Sequence, residues 1–473
     1  MKYFNPPQTS AISLLKSIQS RNAKIHDLTP LFPKTMHNKT NTIMKKTSLF
    51  LAAVIAVSAS ISPQAQELSA DEQAMIEWVD ERADSILKEL ETHVNINTGT
   101  ANIEGLDTYR NLLSKDLEQL GFITTTHSSD SFEVLNCEGS SVEIADHLIA
   151  TLRTDQAKKR VLLNGHIDTV FSKDDEFQTL EILDNGVLKG PGVADMKGGI
   201  VVMLNSLRAI KARGLLDDVH ATVLFNTDEE IGSLGSRSLI EELAREHDIG
   251  LVYEGTFNNL MTHSRKGLGQ ARIKVTGRES HAGGAHEQGV SAVLELAHKV
   301  VAVEQLTDYE KNVTVNTGVL RGGEKRNTVP GCADAYIDMR FPDQGAGDQL
   351  ISDIKEIGAT RSTANPSYPD LPEIEVWAIS HRPVKARNNE VDAVIEEAMQ
   401  LSPLFGEPIA GTRYSGGGTD GSIAQSVGLP TADSLGVDGK GAHSSREESN
   451  VETLIARTKL AAVMLLRQLH SKQ

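Results

Sequence analysis

The sequence predicts an α/β protein: a mostly parallel sheet flanked by helices, into which a ferredoxin-like α+β domain is inserted. Three observations carry that expectation. Short apolar runs at residues 161–164, 220–225 and 251–253 alternate with stretches of helical periodicity, the rhythm of a parallel sheet covered by helices. Between residues 270 and 379 the order becomes strand, helix, strand, strand, helix, strand, which is a ferredoxin-like unit. The first rhythm then resumes and runs to Leu469.

At 473 residues the chain is long enough for two or three domains and a sizeable core. Charged residues make up 23% and hydrophobic ones 39%, the balance of a globular protein in water. A formal charge of −17 argues against nucleic acid as a partner, because phosphates call for a basic surface. The two cysteines, Cys137 and Cys332, are too few for a disulfide scaffold or a thiolate zinc ribbon, and their spacing leaves their pairing open.

The N-terminus stands apart. Met44-Lys45-Lys46, the apolar residues 49–57 and Ser58-Ala59-Ser60 follow the basic, apolar and small-residue order of a secretory signal. The apolar run is shorter than the about 20 residues that span a bilayer. Residues 1–43 are therefore expected to be an upstream extension and 44–66 a signal peptide, cleaved on export to the periplasm or the medium. The catalytic domain is expected over 67–269 and 380–473, split by the inserted domain at 270–379, with no membrane contact in the mature form.

Residues 71–91 read as one amphipathic helix, with Met75, Val79, Ile86 and Leu90 recurring at helical spacing. A second helix over 106–120 ends at Gly121, which suits a left-handed C-terminal cap. Strands follow at 122–126, 147–152 and 161–164. The last delivers His166 and Asp168, which at i and i+2 on extended backbone face one way. A capping Asp beside a structural His is the plainer alternative. Gly190-Pro191-Gly192 forces a tight loop before a helix over 200–211, so Asp195 sits where an N-cap would. Gly198 and Gly199 weaken that first turn and imply close approach of another backbone. The strand 220–225 runs into Asp228-Glu229-Glu230, whose mutual repulsion calls for a cation among them. Likewise 251–253 runs into Glu254. In the inserted part, strands are predicted at 271–277, 312–320, 333–339 and 373–378, with helices at 291–304 and 349–357. A helix near 392–399, a glycine-rich segment at 415–421 and a last helix at 452–469 complete the chain.

His166, Asp168, Asp195, Glu229, Glu230, Glu254 and the downstream His443 form the chemical constellation. Nitrogen and oxygen donors without thiolates suit zinc, with manganese or cobalt as substitutes. Two histidines and several carboxylates exceed what one catalytic ion needs and fit two ions.

Four motifs, taken in order, resemble those of the dinuclear zinc exopeptidases. They are Gly165-His166-Ile167-Asp168-Thr169-Val170, Gly190-Pro191-Gly192-Val193-Ala194-Asp195-Met196-Lys197-Gly198-Gly199, Asp228-Glu229-Glu230-Ile231-Gly232-Ser233 and Gly441-Ala442-His443-Ser444. That family includes glutamate carboxypeptidase, aminoacylase, succinyl-diaminopimelate desuccinylase and peptidase T, and the resemblance to glutamate carboxypeptidase is the nearest. It implies two Zn(2+) per subunit, with Co(2+) or Mn(2+) able to substitute. Asp195 would bridge the ions, His166 and Glu254 would complete one, and Glu230 and His443 the other. Glu229 would be the general base and acid, and Asp168 would orient His166.

Arg340 and the run Gly416, Gly417, Gly418, Thr419 resemble elements that grip a substrate carboxylate, since guanidinium forks and backbone N–H groups suit that anion. For Arg340 a surface arginine ending a strand is the alternative. His281 matches a family histidine that serves a neighbouring subunit's site by stabilising the oxyanion, and Asn327 is a weaker match of the same kind. The resemblance thus implies a homodimer joined through the inserted lid domain, which the signal-like N-terminus would make an exported one. It would cleave a peptide or N-acyl amide bond next to a free carboxylate in a small substrate. An aminoacylase or desuccinylase is the alternative within the class, and a non-catalytic exported binding protein or a two-metal phosphoesterase lies outside it.

Overall fold

The computed structural model describes residues 67–129, 131–154 and 157–471, so the expected extension and signal peptide lie outside the described residues. Among the described residues no helix is long and apolar enough to cross a membrane.

The central sheet has the order Ile123–His127, His147–Leu152, His220–Asn226, Arg160–His166, Ile249–Val252, Thr431–Ala432. The last four strands are mutually parallel and the first two add antiparallel edges. Alternation along Arg160–His166 explains why the sheet is covered twice. Val161 and Leu163 enter a core shared with the helices Lys197–Ala212 and Val451–His470, while Leu162 enters another with Arg237–Glu246 and Asp420–Ser426. Three parallel neighbours end on one edge of the sheet. His166, the turn after Asn226 and Glu254 therefore arrive together, at the carboxyl ends where open α/β sheets bind ligands.

The glycines of the first turn of Lys197–Ala212 behave as anticipated. A Cβ on Gly199 would lie 1.8 Å from the Tyr253 carbonyl oxygen, and one on Gly198 would lie 2.4 Å from that of Val193. This helix therefore seats its N-terminus directly on the backbone beside Glu254.

A second sheet has the order Thr314–Gly322, Cys332–Phe341, Gly267–Thr276, Glu373–Arg382, with every pairing antiparallel. Helices Ala292–Glu304 and Gln344–Ala359 close one face over a separate core containing Ile273, Leu296, Ile337 and Ile354. That is the ferredoxin-like arrangement. Cys137 and Cys332 form a disulfide with Cα atoms 5.9 Å apart, tying the segment after the central sheet's first strand to this second sheet. Elsewhere, Gly411–Ser415 pairs in parallel with Leu260–Arg265 and leads into the glycine run.

One expectation needs correcting. Residues 71–91 are two helices, Ala70–Asp80 and Ala83–Val94. The apolar spacing continues through the break and could not reveal it. Arg82 folds back there, donating to the Trp78 carbonyl at 3.2 Å and lying over the Trp78 ring, so a carbonyl freed by the break keeps a partner.

Candidate active site

Asp195 is the centre of the cluster at the sheet edge. It does not cap the following helix; Met196 holds that position without a side-chain hydrogen bond. Its carboxylate instead divides between two imidazoles: Oδ1 is 3.2 Å from His166 Nε2 and Oδ2 is 3.2 Å from His443 Nε2. Glu254 Oε1 approaches the same nitrogen of His166 at 3.5 Å, and Glu230 Oε2 that of His443 at 3.2 Å. Two donor sets thus share one carboxylate. Independently, His166, Asp195 and Glu230, and also His166, Glu229 and Glu254, can bring one ligand atom each to within 4.8 Å of the others.

The electrostatics of the residues alone call for cations. Burial, then the charge of Asp195, push Glu230 up to about 8, and burial outweighs His166 to bring Glu254 also to about 8. Burial raises Glu229 above the ordinary carboxylate range despite the neighbouring Arg382. The carboxylates of Asp195 and Glu230 lift His443 to about 11. Asp195 goes the other way: against its burial, the two imidazoles hold it ionised, well below the usual carboxylate range, so the cluster gathers acids and imidazoles whose crowded charges divalent ions would suit. The donors, all nitrogen and oxygen, fit zinc or a similar ion. Glu89, His93 and Asp116 form another close group, but Arg208 Nη1 sits 2.6 Å from Glu89 and Nη2 3.4 Å from Asp116, so a guanidinium already fills it.

Asp168 differs in detail from its expected role. The nearest acceptor for His166 Nδ1 is the Asp168 backbone carbonyl at 3.0 Å, with the carboxylate at 3.4 Å. That carboxylate accepts from the backbone N–H groups of Glu229 and Glu230 at 3.1 and 3.2 Å and from Thr100 Oγ1 at 2.8 Å. The residue therefore positions both the imidazole and the turn that carries the expected base.

A cavity of about 620 Å³ opens over the cluster, and its lining includes Glu229, Arg340, Gly417, Gly418 and Thr419. Gly416 reaches the group through its carbonyl, which accepts from Arg340 Nη1 at 3.3 Å, while Arg340 Nε donates to Asp338 at 2.8 Å. The N–H of Gly417 donates to Ser415 Oγ at 3.1 Å, and the Thr419 hydroxyl to Asp433 at 2.9 Å, so these two groups are engaged within the protein. His281 and Asn327 are not brought to this cavity. His281 pairs with Thr328 on a small strand pair and Asn327 precedes Thr328 in the turn, where the Ala282 N–H donates to the Asn327 carbonyl at 2.9 Å and the Gly284 N–H to His281 Nδ1 at 2.9 Å.

Two positioning residues escaped the sequence reading. Arg382, nearly fully buried, donates from Nη2 to Glu229 Oε1 at 2.6 Å and faces Asp420 at 3.3 Å. Glu447, also buried, accepts from the backbone N–H groups of Ala194 and Asp195 at 2.9 and 3.0 Å and of Gly192 at 3.1 Å. In Ser444-Ser445-Arg446-Glu447-Glu448 it reads as part of a solvated charge run. Its distance of four residues from His443 was the one available hint.

Residues 162–467 match the family model of peptidase family M20/M25/M40. The chain is 30% identical over 387 residues to carboxypeptidase G2 of Pseudomonas sp. (strain RS-16), a match covering 81% of this chain and 89% of that protein. It is 27% identical over 309 residues to the acetylornithine deacetylase of Proteus mirabilis (strain HI4320), covering 61% of this chain and 74% of that one. Its fold is similar to that of an M20 family metallo-carboxypeptidase from Sulfolobus solfataricus, with a TM-score of 0.63 at 17% identity, covering 80% and 98% of the two chains. Every residue of the cluster, from His166 to His443, falls inside the matched span; the chain belongs to the peptidase family M20/M25/M40 and is a metal-dependent hydrolase.

Proposed function

We propose that this chain is an exported two-zinc hydrolase that cleaves a peptide or N-acyl amide bond next to a free carboxylate, in the manner of a glutamate carboxypeptidase. The observation that carries the reading is the division of the Asp195 carboxylate between two separate imidazole and carboxylate sets. His166 and Glu254 would hold one ion, His443 and Glu230 the other, and Asp195 both. Bound there, divalent ions polarise a carbonyl and make water acidic enough to act near neutral pH.

The remaining work falls to the chain itself. Glu229, although close enough to His166 and Glu254 to be a donor, is held through Oε1 by Arg382 and through its backbone N–H by Asp168. Held in that way, its carboxylate would take a proton from the attacking water and return it to the departing amine nitrogen. Arg340 and the adjoining glycine run would orient the substrate's free carboxylate. His281 supplies nothing to its own chain's cavity, which favours its serving a second subunit's site to stabilise the oxyanion. The second sheet offers a surface for that pairing: Leu294 and Val301 on its helix, and Leu320 on its edge strand, are more than half exposed.

Export is supported by the disulfide, which uses both cysteines of the chain and is a bond favoured in oxidising compartments. The decisive experiment strips the purified protein with chelator, restores zinc, and offers N-acyl amino acids, dipeptides and phosphate esters. Zinc-dependent amide cleavage is expected. Phosphate ester cleavage alone, or no turnover with any metal, would overturn the reading.

A further inference from the structure

The disulfide lies at the end of the second sheet farthest from that sheet's chain connections. The chain enters the sheet at Gly267 and leaves it at Arg382, and both crossings lie at one end, where Gly267 pairs with Phe341 and Leu268 with Arg340 and Arg382. Just outside them, Arg265 and Lys385 exchange backbone hydrogen bonds at 2.9 and 3.2 Å, so the two crossings form one narrow junction. At the opposite end Thr276 pairs with Cys332 and Glu373. The strand between the two ends has ten residues, which places the disulfide roughly 30 Å from the junction at about 3.3 Å per residue.

The catalytic part reaches that far end through a hairpin. Phe132–Glu133 pairs with Ser141–Val142, and Cys137 sits at the tip. Asn136 knits the tip together: its Oδ1 accepts from the N–H groups of Glu138 and Gly139 at 3.0 and 2.7 Å, and its Nδ2 donates to Ser140 Oγ at 2.7 Å. Beyond the hairpin, Ala145 enters the core of the central sheet. The tip's polar contacts with the second sheet are weak ones. The Cys137 N–H donates to Asp334 Oδ2 at 3.2 Å, Asn136 Nδ2 to the Tyr336 hydroxyl at 3.3 Å, and the exposed Glu138 and Arg321 approach to 4.0 Å. Neither cysteine belongs to a hydrophobic core, so their bond adds to the packing of neither sheet. What it fixes is the position of one sheet relative to the other. A unit joined at one end rotates about that end by default, and a covalent tie at the far end confines it to a small angle. The cavity over the Asp195 cluster takes Leu268, Gln270, Ile337 and Arg340 from this sheet, so rotation about the junction would change its width.

We propose that Cys137 and Cys332 are positioning residues, whose bond straps the second sheet over the Asp195 cluster and keeps the substrate cavity assembled before substrate arrives. For turnover the inference rests on the hydrolase reading above; for the position of the sheet it does not.

The test compares the zinc-loaded parent with the double variant Cys137→Ser, Cys332→Ser on the best substrate of the panel above. A freed sheet that occupies its cavity-forming position about a tenth of the time raises KM about tenfold. It leaves kcat within about twofold, because saturating substrate restores the assembled state. Small-angle X-ray scattering without substrate should give a larger radius of gyration for the variant, with the zinc content of the parent retained. Reducing the parent with a phosphine should reproduce both changes and reoxidation should reverse them, which keeps the test open if the variant fails to fold. A bond that serves stability alone would lower the melting temperature and leave KM and scattering unmoved, and that result overturns the strap. An unchanged KM in a form whose scattering expands overturns it as well. Should no form turn over, the hydrolase reading fails and scattering alone decides. Expansion on loss of the bond then sustains the strap, and superimposable curves refute it.

Discussion

Glu230 and Glu254 sit in the Asp195 cluster with protons held up to about pH 8, whereas in an unfolded chain each would lose its proton near 4.5. Between those values the folded, metal-free protein binds more protons than the unfolded one, so these groups make its stability decline as pH rises. Zinc bound by them would hold the same carboxylates ionised, and that contribution would disappear. The rise in melting temperature on adding zinc should therefore grow from pH 5 to pH 8, measured in chelator-treated and reloaded samples. An increment that is flat or shrinks with pH would be inconsistent with these two residues as ligands. Glu447 supports the cluster from behind by gathering the N–H groups of Gly192, Ala194 and Asp195. Glu447→Ala should weaken zinc binding about 10- to 100-fold, with partial recovery in Glu447→Gln. Unchanged affinity, read by competition with a chelator, would mean that the loop holds its shape alone. Of these residues, the ligand candidates were legible because each ends a strand or loop in a recognisable motif. Glu447 and Arg382 were not, since their partners lie 252 and 153 residues away and only folding brings them together.

At the scale of elements, the site depends on how closely the helix Lys197–Ala212 seats on the strand that ends at Val252. Gly199 permits the approach. Gly199→Ala would drive a Cβ into the Tyr253 carbonyl, and the helix or Glu254 must move. We expect a loss of roughly 3 kcal/mol of stability together with weaker zinc binding, measured by urea unfolding and metal analysis. A variant as stable and as well metallated as the parent would contradict the packing. The elements themselves were readable where apolar runs met turn residues, as at Asn164-Gly165 and Gly121. The break between Ala70–Asp80 and Ala83–Val94 was not, because buried Met75, Val79, Ile86 and Leu90 keep helical spacing across it. Strand ends were also underestimated: Arg160–His166 carries its histidine as the last residue of the strand itself.

For the whole molecule, the central sheet with a core on each face, the second sheet with its own core, and the cavity between the two sheets set the functional geometry. The cavity takes Glu229 and Glu230 from the central sheet and Gln270, Ile337 and Arg340 from the second, so substrate would be enclosed by both. His281, outside its own cavity, supplies the test of the dimer. Subunits carrying Glu229→Ala and subunits carrying His281→Ala should each be inactive, and an equal mixture of the two should regain about a quarter of the parent activity, because about half of its dimers are hybrids and each hybrid holds one complete site of two. No recovery in a mixture that forms dimers would place His281 elsewhere.

The central claim is that Glu229 moves the proton while the residues around Asp195 hold the metals. The most direct measurement is the zinc content and amide turnover of Glu229→Ala beside the parent protein. The account predicts two zinc ions per chain and a fall in turnover of about 10²- to 10⁴-fold. Loss of zinc would make Glu229 a ligand, and retained turnover would give its chemistry to another residue; either result would contradict the account.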